Sequence, residues 1–101
     1  MSGKRWAVGM RANCSIPRTS YRLSAVGNRI EWRDGTGNLD VENVVSRSAT
    51  SFDTVTVRSV RASGSGVPIG ATWSYSLSDD SYSLVSVTPS WKRPFVLVRC
   101  S

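Results

Sequence analysis

The sequence predicts an all-β fold: a single domain over residues 1–101, built as a small antiparallel meander barrel of about eight strands, with a β-sandwich as the alternative. Three observations predict it. Apolar residues recur at every second position in short windows, clusters of turn residues separate those windows, and no window carries a 3.6-residue period. A barrel is preferred to an open sheet because closure removes exposed strand edges. Hydrophobic residues make up 40% of the chain and charged residues 20%, a balance that supports one modest core. No apolar run approaches the roughly 20 residues a membrane-spanning helix needs.

The elements follow in order. Trp6, Val8, Met10, Ala12 and Cys14 alternate with Ala7, Gly9, Arg11 and Asn13, which predicts one long first strand. Pro17 then breaks the pattern and suits a crossing loop. Tyr21, Leu23 and Ala25 point one way on the next strand, and Gly27-Asn28 reads as a tight hairpin turn. On the return strand Ile30 and Trp32 face inward, with Arg29, Glu31 and Arg33 outward. Asp34-Gly-Thr-Gly-Asn38 is the next turn. Leu39, Val41 and either Val44 or Val45 continue inward, and the change of parity near Asn43 predicts a bulge. Phe52 to Val60 has strong strand composition, with a second parity slip between Phe52 and Val55/Val57. Ala62 to Pro68 is a flexible Ser-Gly loop. Trp73, Tyr75 and Leu77 alternate cleanly inward after Ala71. Asp79-Asp80 turns the chain into Tyr82, Leu84, Val85 and Val87. Thr88 to Pro94 is a proline-framed loop, and Phe95 to Cys100 closes the chain. That last strand is apolar on both faces, which calls for cover by the first strand or by a second copy of the chain.

Two cysteines, Cys14 and Cys100, allow one intramolecular bridge or two reduced thiols. A bridge joining the first and last elements is typical of a small exported domain. A simple meander opposes it, because a first strand ending at Cys14 and a last strand ending at Cys100 finish at opposite poles, ~25 Å apart. A disulfide tolerates only about 7 Å between α-carbons. The bridge therefore requires the two strands to run parallel, or residues 15–20 to double back along the barrel, or a different strand count.

Thirteen Lys and Arg against seven Asp and Glu give a net charge of +6, and histidine is absent. The missing imidazole removes the commonest general base, the common triads and most zinc sites, so the chain is not read as an enzyme and no cofactor is expected. The positive balance favours an anionic macromolecule as partner, whether polysaccharide, lipid head group, nucleic acid or acidic protein. The candidate binding residues are Arg22, Arg29 and Arg33 on the outward side of one predicted hairpin, which Arg47, Arg58 and Arg61 extend, and Trp91, Lys92 and Arg93 on the proline-framed loop. The favoured reading of Trp91 is a plug for one barrel end. Asp34, Thr36, Asn38, Asp40 and Glu42 place oxygen atoms at every second position and invite a calcium reading. An EF-hand loop counted from Asp34 needs Gly at its sixth position and Glu at its twelfth, where this chain has Leu39 and Val45, so a plain hairpin turn is favoured and no metal is expected.

Cys14, Tyr21-x-Leu23, Gly27-Asn28-x-Ile30-Glu-Trp-Arg-Asp-Gly35, Asp40-Val-Glu42, Phe52-x-Thr54, Trp73-x-Tyr75 and Arg99-Cys100 together resemble small uncharacterised exported β-proteins of alphaproteobacteria. The resemblance spans most of the chain and implies export and an oxidised cysteine pair. The outline is also similar to the periplasmic lysozyme-inhibitor barrels. Their inhibitory motif is Ser-Gly-x-x-Tyr, and Ser63-Gly-Ser-Gly-Val67 lacks its tyrosine. A +6 chain is also repelled by a basic lysozyme.

The functional expectation is a small binding protein, periplasmic or secreted, acting through a basic face and loop tips. The alternatives are a cytoplasmic nucleic-acid-binding barrel, a lysozyme-inhibitor-like protein and a small-ligand-binding barrel. Against the last, Trp32, Trp73 and Tyr75 predict a filled interior. Oligomer formation through the C-terminal strand is a further expectation. The N-terminus has a basic start without an apolar run after it, which fits either a cytosolic protein or a mature domain whose leader has been removed.

Overall fold

The computed structural model describes residues 5–64, 66–78, 83–87 and 95–100. Among these, eight strands form a closed antiparallel barrel in sequence order: β1 (Arg5–Val8), β2 (Ser20–Val26), β3 (Arg29–Asp34), β4 (Leu39–Arg47), β5 (Ser51–Val60), β6 (Thr72–Leu77), β7 (Ser83–Val87) and β8 (Phe95–Arg99). Closure comes from β1 pairing with β8 through Trp6↔Arg99, Ala7↔Val98 and Val8↔Leu97. β8 is thus hydrogen-bonded along both edges. This leaves only its outer face, where Val96 is 42% exposed, for a second copy of the chain. No helix among the described residues is long and apolar enough to cross a membrane. The expected Asp79-Asp80 turn and the loop from Thr88 to Pro94 lie outside the described residues.

β2, β3 and β6 follow their predicted alternation. Leu23 pairs with Trp32, and Ala25 with Ile30. Leu23, Ile30, Trp32 and Tyr75 are all buried in one core cluster. The two-residue Gly27-Asn28 turn closes β2 onto β3, with Gly27 at φ +59°, a conformation that costs glycine nothing.

β1 departs from prediction. It ends at Val8, and Gly9 at φ +80° turns the chain away. Two 3-10 turns follow, Arg11–Ser15 and Pro17–Thr19. The Asn13 side-chain amide donates to the Val8 carbonyl at 2.5 Å and holds the reversal. Residues 9–19 fold over the outer face of β1 and β2, where Ala7 and Ser20 are buried at 0% and 2% exposure. The alternation from Met10 to Cys14 was the wrong guide, because Met10 is exposed and these residues pack from outside the sheet. The reversal also resolves the cysteine geometry. Chain leaving the far end of β1 returns toward its start, and Cys14 bonds Cys100 with 5.7 Å between α-carbons. Cys100 itself donates its amide to the Arg5 carbonyl. At the other end of this flap, Gly35 donates to the Pro17 carbonyl at 3.2 Å. A β-carbon on Gly35 would meet the proline ring at 2.8 Å, so only glycine allows this approach.

β4 and β5 reverse part of the predicted facing: Leu39 and Val41 turn outward, whereas Phe52 and, of the Val44/Val45 pair, Val44 pack against the core. Trp32 opposes Asp40, and Ile30 opposes Glu42. Residues directly opposite share a face, so the inward set on β4 is Asp40, Glu42 and Val44. Leu39 and Val41 lie on the outer face, although Val41 is itself buried. Register shifts between Val41 and Glu42 and between Val44 and Ser46 flank Asn43, where one bulge was predicted. Inward on β5 are Phe52, Thr54 and Thr56, with Thr54 and Thr56 almost fully buried. Asp53 and Val55 between them lie on the other face.

Replacing both Cys14 and Cys100 by Ser should lower stability by about 3–5 kcal/mol, because the bridge closes nearly the whole chain. Urea unfolding checks this as a lower midpoint. A loss under about 1 kcal/mol would show that β1–β8 pairing alone holds the ends.

Candidate functional site

The structure separates two charged surfaces, one on each side of the barrel wall. The outer one belongs to β1, β2 and β3. Pairing Arg5↔Arg22 and Arg22↔Arg33 sets three arginines side by side across adjacent strands, at spacings of roughly 5 Å. Arg29 shares the outer side of β3 with Arg33, four residues or about 13 Å away. Arg22, Arg29 and Arg33 are exposed. The acid on this face among the described residues is Glu31, 3.5 Å from Arg33, with side chains 33% and 60% exposed. An ion pair so open to water neutralises little. Arg5 is turned toward the flap and donates to the Cys14 carbonyl and the Ser20 hydroxyl. Its place in the row follows from β1–β2 register, which no local sequence pattern reports.

The other predicted cations do not all join this face. Arg58 is exposed on β5. Arg47 sits at the β4–β5 turn and donates to the Asn28 side chain. Arg61 turns to the barrel mouth and grips Asp40 with two hydrogen bonds, at 2.8 and 3.1 Å. Trp91, Lys92 and Arg93 lie outside the described residues. Asp34, once a candidate cation ligand, receives hydrogen bonds from the Thr36 and Asn38 amides and from both side chains. Burial raises its pKa, but these four donors outweigh it and lower the value overall. The carboxylate is a turn-former, with its acceptor sites taken.

The inner surface is acidic, and sequence reasoning missed it. Glu42 is 3% exposed inside the barrel. It accepts hydrogen bonds from the Thr54 hydroxyl and from the Tyr75 phenol, the latter at 2.7 and 3.0 Å to its two oxygens. Tyr75 is held between Phe52, 4.7 Å away centroid to centroid, and Trp32, 6.0 Å away. Trp73 donates its indole N–H to Thr56 at 3.2 Å. Burial pushes the Glu42 pKa up, against the lowering effect of the two hydroxyls, and the Asp40 charge adds to the rise. Toward the mouth, Asp40 accepts from Ser59 at 2.5 Å as well as from Arg61, which holds Arg61 in its charged form. Tyr21, half-buried beside them, is also raised, first by burial and then by the Asp34 charge. The available signal was the alternation of Asp40, Glu42 and Val44 against Thr54 and Thr56. It was masked by the rule that apolar residues face the core.

Compared with protein-family models, with curated proteins and with solved structures, the chain matches none.

Because folding raises the Glu42 pKa above its ordinary value of 4.5, the folded state keeps this proton where the unfolded chain has lost it. The stabilisation is full in acid and is lost as pH rises through the folded pKa. Glu42→Gln cannot ionise. Its stability relative to the parent should therefore grow between pH 4 and pH 8, by on the order of 1 kcal/mol. Urea midpoints at the two pH values check this, and a constant difference would show that burial does not raise the pKa.

Proposed function

We propose that this protein is a non-enzymatic binding module of an oxidising compartment, periplasmic or secreted, whose outer β1–β3 face takes an anionic polysaccharide. The observation that carries the reading is the register-aligned pair Arg22–Arg33 with Arg29 on the same face, flanked by Arg5, whose guanidinium is held by the flap. Guanidinium groups at strand spacing match repeated carboxylates or sulfates, each of which an arginine fork holds by two hydrogen bonds. The Cys14–Cys100 bridge fits an oxidising environment, and the absence of histidine weighs against catalysis. Nucleic acid is the less favoured partner. The large hydrophobic residues exposed among those described are Met10, Ile16, Val26, Val45, Val60, Ile69 and Val96, none of them aromatic. The face therefore offers no stacking platform for bases.

Binding to polygalacturonate should weaken about tenfold or more in Arg29→Glu/Arg33→Glu at low ionic strength and fall steeply with salt. The equal-charge control Arg47→Glu/Arg58→Glu should weaken it much less. Equal losses in both variants would mean that net charge, not this face, drives binding. Tighter binding of duplex DNA than of the polysaccharide would favour the nucleic-acid alternative.

A further inference from the structure

The inner acidic surface lines a cavity of about 210 Å³ at the end of the barrel where β5 passes to β6. Its walls include Trp32, Trp73 and Tyr75, and its charged groups are Asp40, Glu42 and Arg61. Asp40 and Arg61 stand at the opening, with side chains 19% and 22% exposed, and Glu42 lies deeper. A second cavity, about 180 Å³ at the opposite end, is lined mainly by small and apolar residues such as Ala25, Ile30, Phe52 and Leu77, and offers less to select a ligand by.

We infer that the Glu42 cavity is a binding site for a small organic monocation: an ammonium on a compact body that also carries a hydroxyl or carbonyl oxygen. Three independent observations converge on that chemistry. First, the charges do not balance. Two carboxylates face one guanidinium, and Arg61 is spent in a two-pronged contact with Asp40. Glu42 is contacted by neutral hydroxyls, from Thr54 and Tyr75, so its carboxyl has no cation of its own, and a bound ammonium would favour the ionised form that burial alone opposes. Second, the walls carry three aromatic side chains, Trp32, Trp73 and Tyr75, and a ring attracts a cation more strongly when water is excluded. Third, Trp32 is 6% exposed, and its indole N–H finds no acceptor in the protein. Buried donors are rarely left unpaired; this one is closed off from the cavity, and an oxygen on a ligand that shifts the ring slightly would satisfy it. A neutral or anionic ligand would meet the third feature but not the first. The inference concerns the interior and does not depend on the outer-face reading.

The test uses the full disulfide-bonded chain and three probes that share one scaffold and differ in charge: tyramine, its neutral counterpart tyrosol, and anionic 4-hydroxyphenylacetate. Calorimetric titration should show tyramine binding about tenfold or more tighter than tyrosol, with no binding of the acid. The indole N–H resonance of Trp32 should move on adding tyramine. Glu42→Gln should bind tyramine and tyrosol alike, whereas Arg61→Gln, which leaves Asp40 unpaired, should bind tyramine more tightly than the parent. The inference is overturned if tyramine gives neither heat nor shift, if the parent prefers tyrosol or the acid, if Glu42→Gln keeps the preference for the cation, or if Arg61→Gln fails to tighten binding.

Discussion

The placement of one carboxylate organises this barrel. Ile30 and Trp32 must face the core, and the Asp34–Asn38 turn fixes how β4 returns along β3. With that register, the residues opposite the two apolar side chains are Glu42 and Asp40. A buried carboxylate is costly unless its oxygens are hydrogen-bonded. The neighbouring strands supply what it needs: Thr54 from β5 and Tyr75 from β6 donate to Glu42, while Ser59 and Arg61 hold Asp40. The register shift between Val41 and Glu42 lets β5 present Thr54 and Thr56 inward on one side of it and Ser59 inward on the other. Core composition in β4 and β5 thus follows from a turn and two aliphatic–aromatic anchors in β3, not from local hydrophobicity.

That dependence explains which parts of the fold could be read from the residues. β2, β3 and β6 carry one clean alternation each, and Leu23, Trp32 and Tyr75 could be placed without knowing their neighbours. Closure, strand order and approximate strand count followed from the series of hairpin signals. β4 failed because its valines and its acids alternate equally well. Only pairing with β3 decides which set faces in, and a one-residue change of register exchanges the faces. β5 inherited the same ambiguity, and its Thr-Val alternation reads either way. β1 failed for another reason. Period two continues past Val8, yet Gly9 and the Asn13 contact to the Val8 carbonyl end the strand there. The basic face was legible for Arg22, Arg29 and Arg33 because they flank the clearest hairpin. Arg5 joined it only through β1–β2 register, and Arg61 left it because Asp40 had already turned inward.

The resulting molecule is divided by sign. Outward arginines dominate β1 to β3, and acids dominate the interior near the β5–β6 end. The chain's net charge of +6 describes the outer surface and conceals the inner one. Composition therefore argues only for what the exterior attracts. The interior has its own selectivity, set by a desolvated carboxylate, aromatic walls and an indole N–H without a protein acceptor. The flap of residues 9–19 lies over the outer face of β1 and β2, and the Cys14–Cys100 bridge ties it to the end of β8.

The most direct measurement is the titration of the Glu42 side-chain carboxyl, followed by carbon-13 resonance shifts in the folded protein. An apparent pKa clearly above the ordinary glutamate value, with the Tyr75 ring resonances moving in step, is the predicted result. A pKa at or below that value would contradict the account, because burial would then not dominate at this carboxyl.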